Sequence, residues 1–182
     1  VGHVVLEVIE ELAALRDRVG SHQTTARSRQ SFQRTLQHVL QAKGPAMRPD
    51  RMTTKSQEAI RDALDRASRA GHPELIPEHL ILAALEQDGG VAAPLIQKAG
   101  GNSGALKTAL QNKLSELPKV SGGAEPGLSR RSVTLIQKAE DETKTFKDDF
   151  ISVEHFLLAG AKHDRELQSA FERAGISYDK LL

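Results

Sequence analysis

The chain has 182 residues, enough for one ordinary domain with extra segments. Hydrophobic residues make up 38% and aromatic residues only 3%, with no Trp, so the core has to rest on Leu, Ile, Val and Ala, which suits packed helices better than a β-sandwich. A formal net charge of +1 gives no global bias towards nucleic acid or an acidic ligand, and the lack of cysteine excludes disulfides, thiolate metal sites and a cysteine nucleophile.

Residues 4–19 form an amphipathic helical pattern, with Val5, Val8, Ile9, Leu12 and Leu15 at three- and four-residue spacing. Acids at Glu7, Glu10 and Glu11, with no basic stretch before them, argue against a signal peptide. No apolar run approaches the roughly 20 residues that span a bilayer, and the cysteine-free composition is compatible with a reducing, cytoplasmic setting. Residues 21–31 are polar. A second helical pattern from Phe32 through Leu36, Val39 and Leu40 stops at Gly44-Pro45. No acidic residue lies between Arg18 and Pro49, while Arg27, Arg29, Arg34, Lys43 and Arg48 are basic. Such a stretch could contact nucleic acid or membrane, but a solvated, helical or partly disordered arm is the favoured reading. Residues 1–46 are therefore expected to be an arm upstream of a domain that starts at Met47.

From Thr53 the pattern becomes regular. Thr53 or Thr54 predicts an N-cap, Ala59, Ile60, Ala63, Leu64 and Ala67 an apolar stripe, and Gly71 a C-terminal cap. A second helix starts at Pro77-Glu78 and runs through Leu80, Ile81, Ala84 and Leu85 to the break at Gly89-Gly90. A third spans residues 92–99, and a fourth runs from Ser103 to about Leu117, before Pro118. Residues 118–127, rich in Gly, read as a linker.

After the linker the pattern repeats. Leu-Ile-Pro-Glu-His79 and Ile-Ser-Val-Glu-His155 lie 76 residues apart, and at that offset Ile60 meets Ile136, Ala63 meets Ala139 and Leu82 meets Leu158. At an offset of 75, Lys98-Ala99-Gly100 meets Arg173-Ala174-Gly175. The reading is all-α, with one repeat at about residues 53–117 and a second at about 128–182. The two pack around a pseudo-twofold axis because neither buries its apolar face alone.

No Gly-x-x-x-x-Gly-Lys-Ser/Thr phosphate loop and no Gly-x-Ser-x-Gly elbow occurs, so nucleotide hydrolysis and serine catalysis have no mount in these residues. The His residues show no metal-ligand spacing, and the Glu78-His79 and Glu154-His155 pairs read as duplicated helix-start chemistry rather than a metal or acid–base site. Asp148-Asp149, followed by Phe150-Ile151 and Glu154, joins charge to apolar residues at a loop-to-helix junction. It could frame a groove for an apolar peptide or be a solvated loop leading into an N-cap.

The run Met47-Arg48-Pro49-Asp50-Arg51-Met52-Thr53-Thr54 resembles the opening of ClpB-type chaperones, as do Pro77-Glu78-His79-Leu80, Gln87-Asp88-Gly89-Gly90 and Asp149-Phe150-Ile151-Ser152 with Glu154. The resemblance covers residues 47–182. It implies an eight-helix Clp N-domain that is carried on an AAA+ ring, captures unfolded or aggregated polypeptide and works with the DnaK system. It implies ATP use by AAA+ modules, which these residues do not include, and no cofactor here. It places substrate handling at Thr53, Asp148 and Glu154, beside an apolar groove that includes Ile136 and His155, where relatives commonly carry Leu. An adaptor-docking N-domain of a ClpA- or ClpC-type protease unfoldase is the alternative on the same fold. A nucleic-acid binder would rest on the basic arm alone, and its binding would fall steeply with salt.

Overall fold

The computed structural model describes residues 49–120 and 125–182. The expectations for the arm and for its boundary at Met47 lie outside the described residues. A short 3-10 turn, Pro49–Arg51, leads into α1 (Thr54–Ala70). There follow β1 (Glu74–Leu75), α2 (Pro77–Leu85), α3 (Ala92–Lys98) and α4 (Ser103–Ser115). The second half runs β2 (Gly127–Leu128), α5 (Arg130–Phe146), α6 (Val153–His163), α7 (Arg165–Arg173) and α8 (Tyr178–Leu181). The eight helices of the described residues carry the repeat read from the sequence.

The two halves begin with the same device. Thr53 caps α1 and Ser129 caps α5, with φ/ψ of −64°/157° and −65°/156°, and each hydroxyl oxygen accepts the backbone N–H three residues on. That bond satisfies one of the amide donors left free at a helix start. Each helix then buries an Ala-rich stripe, Ala59, Ile60, Ala63 and Ala67 in α1, and Leu135, Ile136 and Ala139 in α5. The small side chains let α2 and α6, which are apolar around most of their circumference, approach closely. In α6 the residues from His155 to Ala161 are all buried. Phe156 and Phe171 supply the bulk that the aliphatic residues lack, and both are fully buried.

The linker expectation needs a correction at its end. Gly127 and Leu128 pair in parallel with Glu74 and Leu75. Across the axis Met52 pairs with Ile151 in the same sense. The segment entering each half is thus hydrogen-bonded to the loop before the Glu-His helix of the other half: Ser129 N–H donates to Leu75 O at 3.0 Å, and Thr53 N–H to Ile151 O at 3.0 Å. One contact is two residues long and the other a single bridge, so they leave no periodic signal in the sequence. Near the axis Gly100 and Gly175 both take φ of 78° and close their helices in the left-handed conformation. Gly101 lies so near Ile176 that a Cβ there would come within 2.3 Å of its Cγ1.

Candidate functional site

Both histidines of the Glu-His pairs are buried, each 1% exposed, and both perform helix-start chemistry. His79 Nδ1 accepts the Ile76 N–H at 3.1 Å, and His155 Nδ1 accepts the Ser152 N–H at 3.0 Å. An amide N–H can only donate, so Nδ1 is the acceptor in each ring and the proton of the neutral imidazole sits on Nε2. That proton points to residues 76 apart in the chain. His155 Nε2 lies 3.1 Å from Asp148 Oδ2, and His79 Nε2 lies 2.8 Å from His72 Nδ1. Burial depresses the pKa of His79 to about 4, with the neighbouring His72 adding to the effect, so His79 is neutral near pH 7.

The second-half face is built on the α5–α6 turn. Lys147 takes φ of 60° and reverses the chain. Phe146 and Phe150 on either side of it are 40% and 51% exposed, whereas the other two phenylalanines of the described residues, Phe156 and Phe171, are fully buried. Asp148 is half exposed and tied to the buried His155, and the Phe146 ring meets the His155 ring edge-on at 6.0 Å between centroids. Thr53 joins this face through its backbone bond to Ile151. Glu154, in the first turn of α6, is half-buried, and among the described residues no partner holds its carboxylate. Ile136 sits ten residues before Phe146 on α5, about 15 Å along the helix, and faces the core at 6% exposure. The structure therefore gathers Thr53, Asp148 and His155 around one turn, leaves Glu154 at its margin, and puts Ile136 and the His155 ring beneath the surface rather than on it.

The matching acid in the first half is held differently. Glu78 is 2% exposed and takes two hydrogen bonds from Arg131, at 3.0 and 3.4 Å. Arg131 also binds Asp164 at 2.6 Å and Glu166 at 3.2 Å, so a guanidinium from α5 bridges the two halves. Burial raises the pKa of Glu78, and Arg131 opposes the shift. Beside His72 and His79 lies a cleft of about 310 Å³ walled by α1, α2, α4 and the segment at Lys119.

Phe146, Arg131 and His72 escaped the sequence reading. The 76-residue offset that aligns the cores also aligns His72 with Asp148, Gly71 with Lys147 and Arg131 with Lys55, and those mismatched pairs are the signal that was available. Among the described residues no three His, Asp or Glu side chains gather to hold a metal ion, and no helix is long and apolar enough to cross a membrane.

A family model described as the Clp repeat (R) N-terminal domain matches residues 51–179. The chaperone protein ClpB of Mycobacterium leprae is 38% identical over 126 residues, which is 69% of this chain and 15% of that protein, so the chain spans about one seventh of such relatives. The N-terminal domain of Hsp104 from Candida albicans superposes with a TM-score of 0.63 at 21% identity, covering 71% of this chain and 85% of that one. A ClpV N-domain in complex with a VipB peptide superposes at 0.59 with 20% identity, covering 72% and 82%. At those identities the two structures speak for the fold alone.

Proposed function

This chain belongs to the Clp N-terminal repeat-domain family, and from that premise we propose that it recruits non-native polypeptide for a ClpB-type chaperone through the acidic and aromatic face at the α5–α6 turn. The observation that carries the reading is the pair of exposed rings, Phe146 and Phe150, flanking Asp148, whose carboxylate is aimed by a buried histidine. Exposed aromatic side chains cost a folded monomer solubility, and two on one short turn mark an interaction surface. Asp148, Asp149 and Glu154 can accept backbone N–H groups or basic side chains of an extended chain lying across the rings. Thr53 sits at the edge of the face. Ile136 and His155 support it from below, as positioning residues.

In this reading residues 47–182 are the working module, with the repeats at about 53–117 and 128–182 and the 118–127 connection between them. ATP hydrolysis belongs to AAA+ modules outside these residues, and the DnaK system acts with the complete machine. A recruiting surface releases each client many times, so its affinity is expected to be micromolar or weaker, about 8 kcal/mol at most. The test is fluorescence anisotropy of a labelled, permanently unfolded model protein with the full chain. Changing Asp148→Asn with Glu154→Ala removes both charges but keeps an acceptor for His155. Binding should fall about tenfold with the helical signal intact. Unchanged binding by the folded double variant would move the site elsewhere.

A second reading is docking of a dedicated adaptor, as in ClpA- or ClpC-type N-domains; the ClpV N-domain of the same fold is known in complex with one specific peptide, from VipB. An adaptor site would select one sequence, whereas the recruiting site would take unrelated unfolded chains with similar affinity.

A further inference from the structure

The first-half cleft holds chemistry opposite in sign to the second-half face. We propose that the cleft beside His72 binds the C-terminal carboxylate of a polypeptide whose last side chain is apolar. The inference rests on this domain being a polypeptide binder but not on which face recruits unfolded clients.

Because the Ile76 N–H fixes Nδ1 of His79 as an acceptor, His79 donates from Nε2 to His72 Nδ1. The proton of His72 is therefore on its own Nε2, and among the described residues no group accepts it. His72 is 4% exposed and lines the cleft, and its unpaired nitrogen is not among the fully buried unpaired side-chain atoms, so the little of the ring that reaches solvent includes this donor. An N–H fixed on a largely buried ring, with no protein acceptor and access to an open cleft, can be given to a ligand acceptor in place of water.

Lys119 determines which acceptor. Val120 N–H donates to Gly71 O at 2.8 Å, which straps this segment against the residue preceding His72. Lys119 lines the same cleft and is close enough that its charge, after burial, is a cause of the lowered pKa of His72. The other cation of the wall, Arg66, is already paired with Glu86. A carboxylate can take the His72 N–H and the Lys119 ammonium together, a charge-assisted arrangement that a neutral amide cannot match. Leu82 and Leu114 give an apolar wall next to these donors, and Gln111 and Ser115 can serve the preceding peptide group. A carboxylate and an apolar side chain side by side, in a cleft at the small end of ligand-site volumes, describe a chain end. An internal acidic residue would have to thread the chain out in two directions.

The test uses the ¹⁵N-labelled full chain titrated with acetyl-Ala-Ala-Leu carrying a free carboxylate. The same peptide as its C-terminal amide and acetyl-Ala-Asp-Leu-amide serve as controls. The free acid should shift resonances of His72, Ser115 and Lys119, saturating on the order of a millimolar, as suits a three-residue ligand. The amide should bind about fivefold more weakly or worse, Lys119→Gln should weaken the acid about threefold, and His72→Phe should abolish the shifts. Asp148→Asn with Glu154→Ala should leave them unchanged, which separates this site from the recruiting face. Equal binding of acid and amide, equal binding of the internal-acid peptide, or shifts confined to residues 146–155 would overturn the proposal. Lys119→Gln lies at an exposed residue and decides the matter if His72→Phe does not fold.

Discussion

The two halves share their backbone devices and differ in what they attach to them. Thr53 and Ser129 cap equivalent helices with the same backbone angles, and His79 and His155 each take the N–H at the start of theirs. At the next position outwards the copies part. His72 in the first half corresponds to Asp148 in the second, Gly71 corresponds to Lys147, and the Arg66–Glu86 ion pair of the first half returns as Glu142–Lys162, with its charges exchanged. Glu78 is buried under Arg131, while its counterpart Glu154 is half-buried with no carboxylate partner among the described residues, and the counterpart of Arg131, Lys55, bonds Asp88 O and Glu58 instead. A duplicated fold can diverge at side chains that finish a device without disturbing the device itself. The lesson is that function in this domain is to be sought where the halves disagree.

The sharpest test of that asymmetry removes the bridge. Arg131→Ala strands a carboxylate that is 2% exposed, and breaking such a pair costs about 3–5 kcal/mol. Arg131 is itself one-third exposed, so water tempers the loss and about 3 kcal/mol is the better expectation. That should lower the thermal midpoint by roughly 10 °C. Lys55→Ala, at the equivalent place, should cost about 0.5 kcal/mol or less, because its partners are exposed. Glu78→Gln added to Arg131→Ala should recover part of the loss. The sign with pH follows from the raised pKa of Glu78: in the fold its ionised form is the costly one, so the Arg131→Ala defect is full above the raised folded value and should shrink as pH falls through it towards the ordinary carboxylate value. Equal effects of Arg131→Ala and Lys55→Ala, measured by denaturant unfolding, would remove the asymmetry.

A second contrast is acid sensitivity. His79 has its pKa lowered to about 4 from an ordinary 6.5, so the unfolded chain takes up a proton that the folded one refuses. Such a group contributes stability that is full above pH 6.5 and is lost as pH falls towards 4, at most roughly 3 kcal/mol. His72 is shifted the same way, by burial and by Lys119. His79→Gln should cost stability near pH 7, where the cap and the His72 contact are weakened, and should flatten the decline between pH 6.5 and 4. A variant with the same slope as the parent would show that the first-half pair does not carry it.

Much of this architecture is legible in the sequence because helix ends are local. Gly71, Gly89-Gly90 and Gly100-Gly101 mark the breaks, and the 76-residue repeat supplies the pseudo-twofold. The parallel crossings at Met52–Ile151 and Leu75–Leu128 are not legible, since each is set by packing between segments far apart in the chain. The same distance hides Arg131 from Glu78. The Glu-His pairs were readable as helix-start chemistry, but a carboxylate in the first turn is the usual candidate for the free amides. Only the geometry shows that the histidine at the third position takes the N–H. Of the candidate site, Asp148 and Phe150 stand out by their pattern. The exposure of Phe146 does not, because it ends a helix whose neighbouring apolar residues are buried.

A smaller effect than either of these contrasts sits at the αL position that ends each long helix. Gly71, at φ of 73°, occupies it without strain, whereas Lys147 holds φ of 60° with a Cβ that crowds the following carbonyl. That crowding costs about 1–2 kcal/mol, and glycine returns part of the gain because its unfolded chain is freer, by about 0.5–1 kcal/mol. Lys147→Gly should therefore stabilise the protein by about 0.5–1 kcal/mol. The reciprocal change, Gly71→Ala, should destabilise by a similar amount through backbone strain alone, since its Cβ would stand 3.4 Å from Val120 O, an ordinary contact. Lys147 lies between Phe146 and Asp148, so the strained residue is in the middle of the proposed recruiting face. Binding of unfolded protein, measured beside stability, then separates two roles. A stabilised Lys147→Gly with unchanged binding makes the lysine incidental to the face. Weaker binding would mean that the turn is held in this shape for its partner, with stability given up for function at the one half that recruits.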